Sequence, residues 1–177
     1  GGSVNQVVNL IVEVFVGLTS GAAVIVSQFY GAKDKKNLDK TIHTAFAFSA
    51  AAGIVIGIIG YLASDWILTA MNTPLELMDE SRVYLHIYFF GTLFNLIYNM
   101  GASILRAMGD SRRPLYVLII ACTLNIFLDI LLVVIGGMGV EGVAFATIFC
   151  QGISAVIVTM MLIKGQEEFS FKLKKLR

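Results

Sequence analysis

Long apolar runs separated by short polar clusters are the main pattern of this 177-residue chain. Each run is about 20 to 26 residues long, and about 20 helical residues cross a hydrocarbon core of roughly 30 Å. The runs do not alternate every second residue as the strands of a membrane barrel do, whereas a helix satisfies its backbone hydrogen bonds within its own segment. We therefore predict an all-α bundle of five membrane spans. The spans are residues 4–29, 42–63, 83–104, 115–135 and 140–163, and a basic tail follows at 164–177.

Basic residues fall on one side of this predicted bundle. All but Arg82 of the 13 Lys and Arg residues lie in the loops 31–40 and 105–114 or in the tail. The positive-inside rule makes this side cytoplasmic. The chain would then start outside and end inside the plasma membrane of a prokaryote. A membrane protein of five spans rarely starts outside the cell. We therefore also expect a helix of the same protein to precede the first of these spans.

The composition agrees with a membrane protein and disfavours other classes. Hydrophobic residues make up 57% of the chain and charged residues 14%, against about 25% charged in soluble domains. The net charge of +1 gives no overall field that attracts nucleic acid. Cys122 and Cys150 lie in apolar runs without metal-site spacing, so neither a disulfide framework nor a zinc site is expected. Since no catalytic constellation is visible, we predict neither an enzyme nor a cofactor.

Asp129 is the main candidate for chemistry within the membrane. Asn125 lies one helical turn earlier on the same face, and Thr147 lies on the next span. The short turn 136–139 makes these two spans an antiparallel pair, which places the three residues about 9 to 15 Å deep in the outer half. Their oxygens suit Na⁺, or Asp129 carries one exchangeable proton. The alternative is that Asp129 hydrogen-bonds Asn125 and only holds the bundle together.

Glu13 is a second intramembrane carboxylate, about 13 Å deep when its distance from the start of its span is counted along a helix. A charge near the middle of a span costs about 2.5–3.5 kcal/mol on insertion scales, so such residues usually have a role. Glu13 is a possible second proton site that shares the cavity of Asp129. It could equally reach the interface or pair with a helix outside this chain.

Other polar and small residues in the spans give weaker signals. Possible cavity-lining residues are Asn95, Tyr98, Asn99 and Gln151. Hydrogen bonding between helices is the alternative role for them. The small-residue pairs Gly17–Gly21 and Gly53–Gly57 have spacing that permits close helix packing, which is common in membrane proteins generally.

Three stretches carry a resemblance to a known family. The first is Gly-Leu-Thr-Ser-Gly-Ala at 17–22, which runs into Val-Ser-Gln-Phe-Tyr-Gly-Ala-Lys-Asp at 26–34. The second is Tyr-Asn-Met-Gly-Ala at 98–102 with Leu-Arg-Ala-Met-Gly-Asp-Ser-Arg-Arg-Pro at 105–114, and it is the most specific. The third joins Asn125 and Asp129 to Gly-Val-Ala-Phe-Ala-Thr at 142–147. Over essentially its whole length, the chain resembles the multidrug and toxic compound extrusion (MATE) transporters.

This resemblance implies a fold, an activity and a site. MATE proteins have two six-helix lobes and export organic, mainly cationic compounds against an inward flow of H⁺ or Na⁺. The chain would be helices two to six of the N-terminal lobe, partnered by lipid, small organic cations, a first helix and a C-terminal lobe outside this sequence. The family's cation site carries over to Asp129, Asn125 and Thr147, while its fourth residue lies on helix one. Glu13 matches no motif of the family.

Two other functions stay open at this point. A flippase for lipid-linked sugars shares the fold, but it is expected to carry basic residues in its cavity, and the predicted spans contain none. A membrane scaffold without transport is the other alternative.

Overall fold

The computed structural model describes the backbone of residues 2–175 and the side chains of residues 9–175, except that of Val12. The described residues form helices and turns and contain no β-strand, so the all-α prediction is confirmed. The helices are α1 (Gly2–Gly31), α2 (Lys35–Ala70), α3 (Met78–Phe90), α4 (Thr92–Ala107), α5 (Arg112–Asp129) and α6 (Val140–Lys175). A short 3-10 turn, Leu75–Leu77, precedes α3, and a π-helical segment, Ile130–Ile135, continues α5.

Four segments of the described chain are long and apolar enough to cross a membrane. They are Asn9–Gly31, Lys35–Ala70, Arg112–Ile135 and Val140–Lys175. The helices α2 and α6 extend well beyond the predicted spans 42–63 and 140–163, because polar residues flanking an apolar run also adopt helical backbone. The basic tail is therefore a continuation of α6 up to Lys175, and Arg177 lies outside the described residues.

The predicted span 83–104 is divided in the structure into α3 and α4, which meet at Gly91. The interruption is local: the Gly91 N–H donates to the carbonyls of both Ile87 (3.0 Å) and Tyr88 (3.1 Å), and Asn95 N–H donates back to Gly91 O (3.2 Å). The Gly91 backbone stays in the right-handed helical region, at φ −80° and ψ −7°, so the helical path continues through this distorted turn. Residues 78–107 therefore follow one path with a single irregular turn.

Tight packing explains the glycine at this irregular turn. A Cβ on Gly91 would lie 2.8 Å from Ile148 Cγ1 of α6. On the other side, a Cβ on Gly53 would lie 2.7 Å from Leu93 Cα, and one on Gly57 would lie 2.8 Å from Phe89 O. The junction of α3 and α4 is thus held between α2 and α6 at a spacing that only glycine permits.

The core of the bundle lies toward the side with the basic loops. Its fully buried members come from four helices and include Val26, Leu38, Met100, Ile104, Val158 and Leu162. The helix α4 is central and packs on α1, α2 and α6, whereas α5 packs mainly on α6. The continuation of α6 is docked on the same side: Gln166 Nε2 donates to Asp39 Oδ1 (3.0 Å), and the rings of Phe169 and Tyr30 lie 4.9 Å apart.

Arg82 ties α2 to α3 at the opposite end of the bundle. Its guanidinium donates to Asp65 of α2 and to Asp79 of its own helix. The hydrogen bond to Asp65 raises the pKa of Arg82 above its ordinary value. These side chains are exposed, so the pairs fix the local geometry of the loop more than they stabilise the fold.

Candidate functional site

Asn125 and Asp129 lie one turn apart near the end of α5, where both side chains are half-buried. The Oδ1 atom of each is buried and has no hydrogen-bond partner. No hydrogen bond joins the two side chains in the described part of the chain, so the structure lacks the contact on which the purely structural role of Asp129 depends. Buried oxygens are normally paired, and an orphaned one costs about 1–3 kcal/mol, more if charged. Two such atoms lie on adjacent turns of α5.

The backbone changes its hydrogen-bonding pattern immediately after Asp129. The segment Ile130–Ile135 is π-helical, and Gly136 N–H donates to Leu131 O, five residues back, at 2.9 Å. Single π-helical turns within longer helices occur frequently at functional sites. No pattern in the sequence predicts this feature. The β-branched residues of Ile130–Ile135 and the glycines that follow weaken an ideal α-helix without specifying a π-helix.

Thr147 lies on α6, which packs against α5. Its hydroxyl donates to Val143 O of its own helix (3.0 Å), which leaves the oxygen lone pairs available as acceptors. No hydrogen bond links Thr147 to Asn125 or Asp129 among the described residues. The structure therefore places the three predicted residues on two packed helices without joining them directly.

Apolar side chains surround this region. A cavity of about 370 Å³ between α5 and α6 is lined by Leu128, Leu132, Phe145, Ala146, Ile148 and Phe149. Leu128 directly precedes Asp129 in the sequence, but Asp129 is not among the residues that line this cavity.

The possible cavity-lining residues make local contacts. Tyr98 donates from its hydroxyl to Pro114 O (2.9 Å), which ties α4 to the start of α5. Asn99 donates to the backbone and side-chain oxygens of Asn95 (2.8 and 2.9 Å). Gln151 lies beside Gly91, where its Oε1 would be 3.0 Å from an added Cβ. The interhelical hydrogen-bond role thus fits Tyr98, and cavity lining stays a prediction for all four residues.

The structure does not bring Glu13 to Asp129. Glu13 is exposed on α1, which packs on α2 and α4 and has no packing contact with α5 among the described residues. No hydrogen bond or ion pair involves the Glu13 carboxylate within that part of the chain. The described residues also contain no group of three or more His, Cys, Asp or Glu that could hold a metal ion. A cation at Asp129 would therefore depend on amide, hydroxyl and backbone oxygens as well.

Comparison with known proteins decides the family. The family model described as MatE matches residues 1–131, which include both Asn125 and Asp129. The chain belongs to the MatE family. MATE proteins are multidrug transporters and not enzymes, so the expectation of no enzymatic activity is confirmed.

Curated MATE relatives align along nearly the whole chain. It is 30% identical over 166 residues to the "Probable multidrug resistance protein YoeA" of Bacillus subtilis, covering 92% of this chain. It is 32% identical over 160 residues to "Probable multidrug resistance protein YpnP" of the same organism, covering 90%. The chain spans 36% of the length of each.

Solved MATE structures share the fold. An "Inward-facing conformation of a multidrug resistance MATE family transporter" matches with a TM-score of 0.78 at 26% identity, over 84% of this chain and 34% of that one. An "Outward-facing conformation" of such a transporter matches with a TM-score of 0.79 at 26% identity, over 91% and 36%. The MATE-type bundle expected from the sequence is confirmed.

Proposed function

We propose that this chain is helices two to six of the N-terminal lobe of a cation-coupled exporter, in which H⁺ or Na⁺ binds at Asn125 and Asp129. The observation that carries the proposal is the pair of buried, unpartnered Oδ1 atoms on one face of α5. The export of small organic cations by alternating access is proposed for the complete transporter, because the chain spans only 36% of its relatives' length.

The ligand chemistry supports a small hard cation or a proton. Asn125 and Asp129 offer oxygen acceptors, and Thr147 can add a hydroxyl oxygen from α6 if the α5–α6 distance shortens. Na⁺ prefers such oxygens to sulfur or imidazole. A proton on Asp129 would instead remove the charge and give the orphaned Asn125 oxygen a donor.

Ion binding at this position would be linked to the shape of α5. Asp129 is the last residue of α5 before the π-helical segment, so a change at its carboxylate acts where the hydrogen-bond pattern is already distorted. One charge that moves inward across 100 mV contributes about 2.3 kcal/mol, enough to bias a two-state transporter.

The lobe is expected to move largely as a rigid unit. Its similarity to inward-facing and outward-facing relatives is nearly equal, at TM-scores of 0.78 and 0.79. Rocking of one lobe against the other around a fixed site is the usual form of alternating access. The basic loops would face the cytoplasm of a prokaryotic cell.

Efflux of ethidium from cells that produce the complete transporter tests this function. We expect Asp129→Asn to abolish efflux while the amount of protein in the membrane stays normal. Glu76→Gln is the matched control, because Glu76 is an exposed carboxylate in the turn before α3. Normal efflux by the Asp129→Asn protein would contradict coupling at Asp129. An absence of efflux by the native protein would contradict organic-cation export and favour the flippase or scaffold alternatives.

A further inference from the structure

A groove lies between α2 and the junction of α3 with α4, and we call it the α2–α3 groove. Its volume is about 300 Å³. One wall includes Gly53, Ile58 and Leu62 of α2, and the other is formed by Phe89, Phe90 and Leu93. All these residues are apolar, so the groove suits a hydrocarbon chain better than a polar ligand.

The length and depth of the groove match one leaflet of a bilayer. From Gly53 to Leu62 it extends nine residues, or about 14 Å along the axis of α2. Half of a hydrocarbon core of roughly 30 Å is about 15 Å. Gly53 lies at the middle of the apolar run 42–63, and Leu62 lies at the end of the run away from the basic loops. The groove therefore has the length of an acyl chain in the leaflet opposite those loops.

The groove opens on the apolar side of α3 and α4. Phe90, which is 71% exposed, lies about 140° around the helix axis from Asn95 and about 180° from Asn99. The polar side chains of α4 are therefore directed away from the groove. On α2, the rim residues Ile58 and Leu62 are also exposed. Exposed apolar side chains at membrane depth suit lipid, so the groove is placed to receive a lipid chain from the bilayer.

Charged side chains lie at the mouth of the groove. Tyr61 lines the groove, and its ring stacks on that of His86 with 4.0 Å between the ring centroids. One turn beyond Tyr61, Asp65 accepts a hydrogen bond from Arg82, which also donates to Asp79 at 2.9 Å. Two carboxylates thus face one guanidinium, which leaves one negative charge unbalanced. The side chain of Asp79 is 95% exposed and can meet a further cation.

We propose that the α2–α3 groove binds one acyl chain of a phospholipid whose headgroup carries an ammonium, as in phosphatidylethanolamine. The chain lies between Ile58 and Phe90, and the ammonium meets the carboxylates of Asp65 and Asp79. Arg82 has further N–H donors for the phosphate. An anionic lipid such as phosphatidylglycerol lacks the ammonium and would bring its negative charge to a mouth that is already negative. This lipid site is separate from ion binding at Asp129 and does not depend on it.

Lipid binding to the purified complete transporter, measured by native mass spectrometry, tests the headgroup. We expect the native protein to bind phosphatidylethanolamine about twofold to fivefold more tightly than phosphatidylglycerol with the same acyl chains, as for one exposed ion pair. Asp65→Asn should remove this preference, because it balances the charge at the mouth. Glu76→Gln is the matched control and should retain the preference, since Glu76 is an exposed carboxylate outside the Arg82 cluster.

Two adjacent isoleucines of α2 test the acyl chain. Ile58 and Ile59 are 56% and 61% exposed, but only Ile58 lines the groove. Ile58→Trp should fill the groove and weaken the binding of both lipids by about tenfold, whereas Ile59→Trp should stay within twofold of the native affinity. Without added lipid, both variants should keep a thermal midpoint within about 2 °C of the native value, because each new side chain enters open space.

Three results would overturn the proposal. Equal affinity of the native protein for the two lipids would remove the role of the headgroup. Equal lipid binding by Ile58→Trp and Ile59→Trp would show that the chain lies elsewhere. A drop of the midpoint by many degrees in Ile58→Trp alone would mean that another part of the transporter, and not lipid, occupies the groove.

Discussion

Asn125 and Asp129 face the same way on α5 four residues apart, and neither Oδ1 atom has a hydrogen-bond partner. An unpartnered buried carboxylate destabilises a fold, and a bound ion relieves that cost. Asp129→Asn removes the charge, so we expect its thermal midpoint without Na⁺ to rise by about 2–4 °C, equivalent to about 1 kcal/mol. Thermal unfolding in detergent measures this change.

The same experiment separates the native protein from the variant by their response to the coupling ion. Added Na⁺ should raise the midpoint of the native protein and have little effect on Asp129→Asn. An equal ion-dependent rise of the thermal midpoint in both proteins would show that the ion binds at a site other than Asp129.

The glycines of α2 should be sensitive to small substitutions. In Gly57→Ala the new Cβ would lie 2.8 Å from Phe89 O, a backbone atom that cannot rotate away. We expect a loss of about 1–3 kcal/mol in the free energy of unfolding. Gly165→Ala in α6 is the control, since its Cβ meets nothing within 4 Å, and helix propensity favours Ala by about 1 kcal/mol. Equal midpoints for the two variants would show that α2 does not approach α3 this closely.

Two phenylalanines near the end of α6 should differ in their importance. Phe169 packs on Tyr30 and on the core, whereas Phe171 is 60% exposed. Phe169→Ala should release the end of α6 and make residues 164–175 sensitive to protease, while Phe171→Ala should not. Limited proteolysis of inside-out vesicles gives the comparison, and equal cleavage of the two variants would contradict the docking.

The orientation of the chain can be tested with single cysteines. Glu76→Cys lies in the turn before α3 and Ser111→Cys in the basic loop before α5, at opposite ends of the bundle. A membrane-impermeant maleimide added to intact cells should label the first and not the second, against a background in which Cys122 and Cys150 are replaced by serine. Labelling of Ser111→Cys alone would show that the chain has the opposite orientation in the membrane.

Much of the fold follows from hydropathy. Apolar runs of bilayer length predict the helices, and the short turn between Asp129 and Thr147 predicts the packing of α5 against α6. Hydropathy does not mark helix ends, so the extension of α6 to Lys175 was missed. The irregular turn at Gly91 was also missed, because it arises from tight contacts with α2 and α6 rather than from the local sequence.

The candidate site was only partly predictable. Helical spacing puts Asn125 and Asp129 on one face, but whether they bond each other depends on side-chain geometry. The π-helical segment after Asp129 has no specific sequence signal. The separation of Glu13 from α5 is a property of tertiary packing, which one sequence does not specify.

Transport driven by a single imposed gradient tests the central claim most directly. The complete transporter would be reconstituted in liposomes, and ethidium movement measured under a proton gradient alone and a Na⁺ gradient alone. We expect one of these gradients to drive transport by the native protein, Asn125→Ala to weaken that response and Asp129→Asn to abolish it. Gradient-driven transport by Asp129→Asn at the native rate would contradict the assignment of the coupling ion to α5.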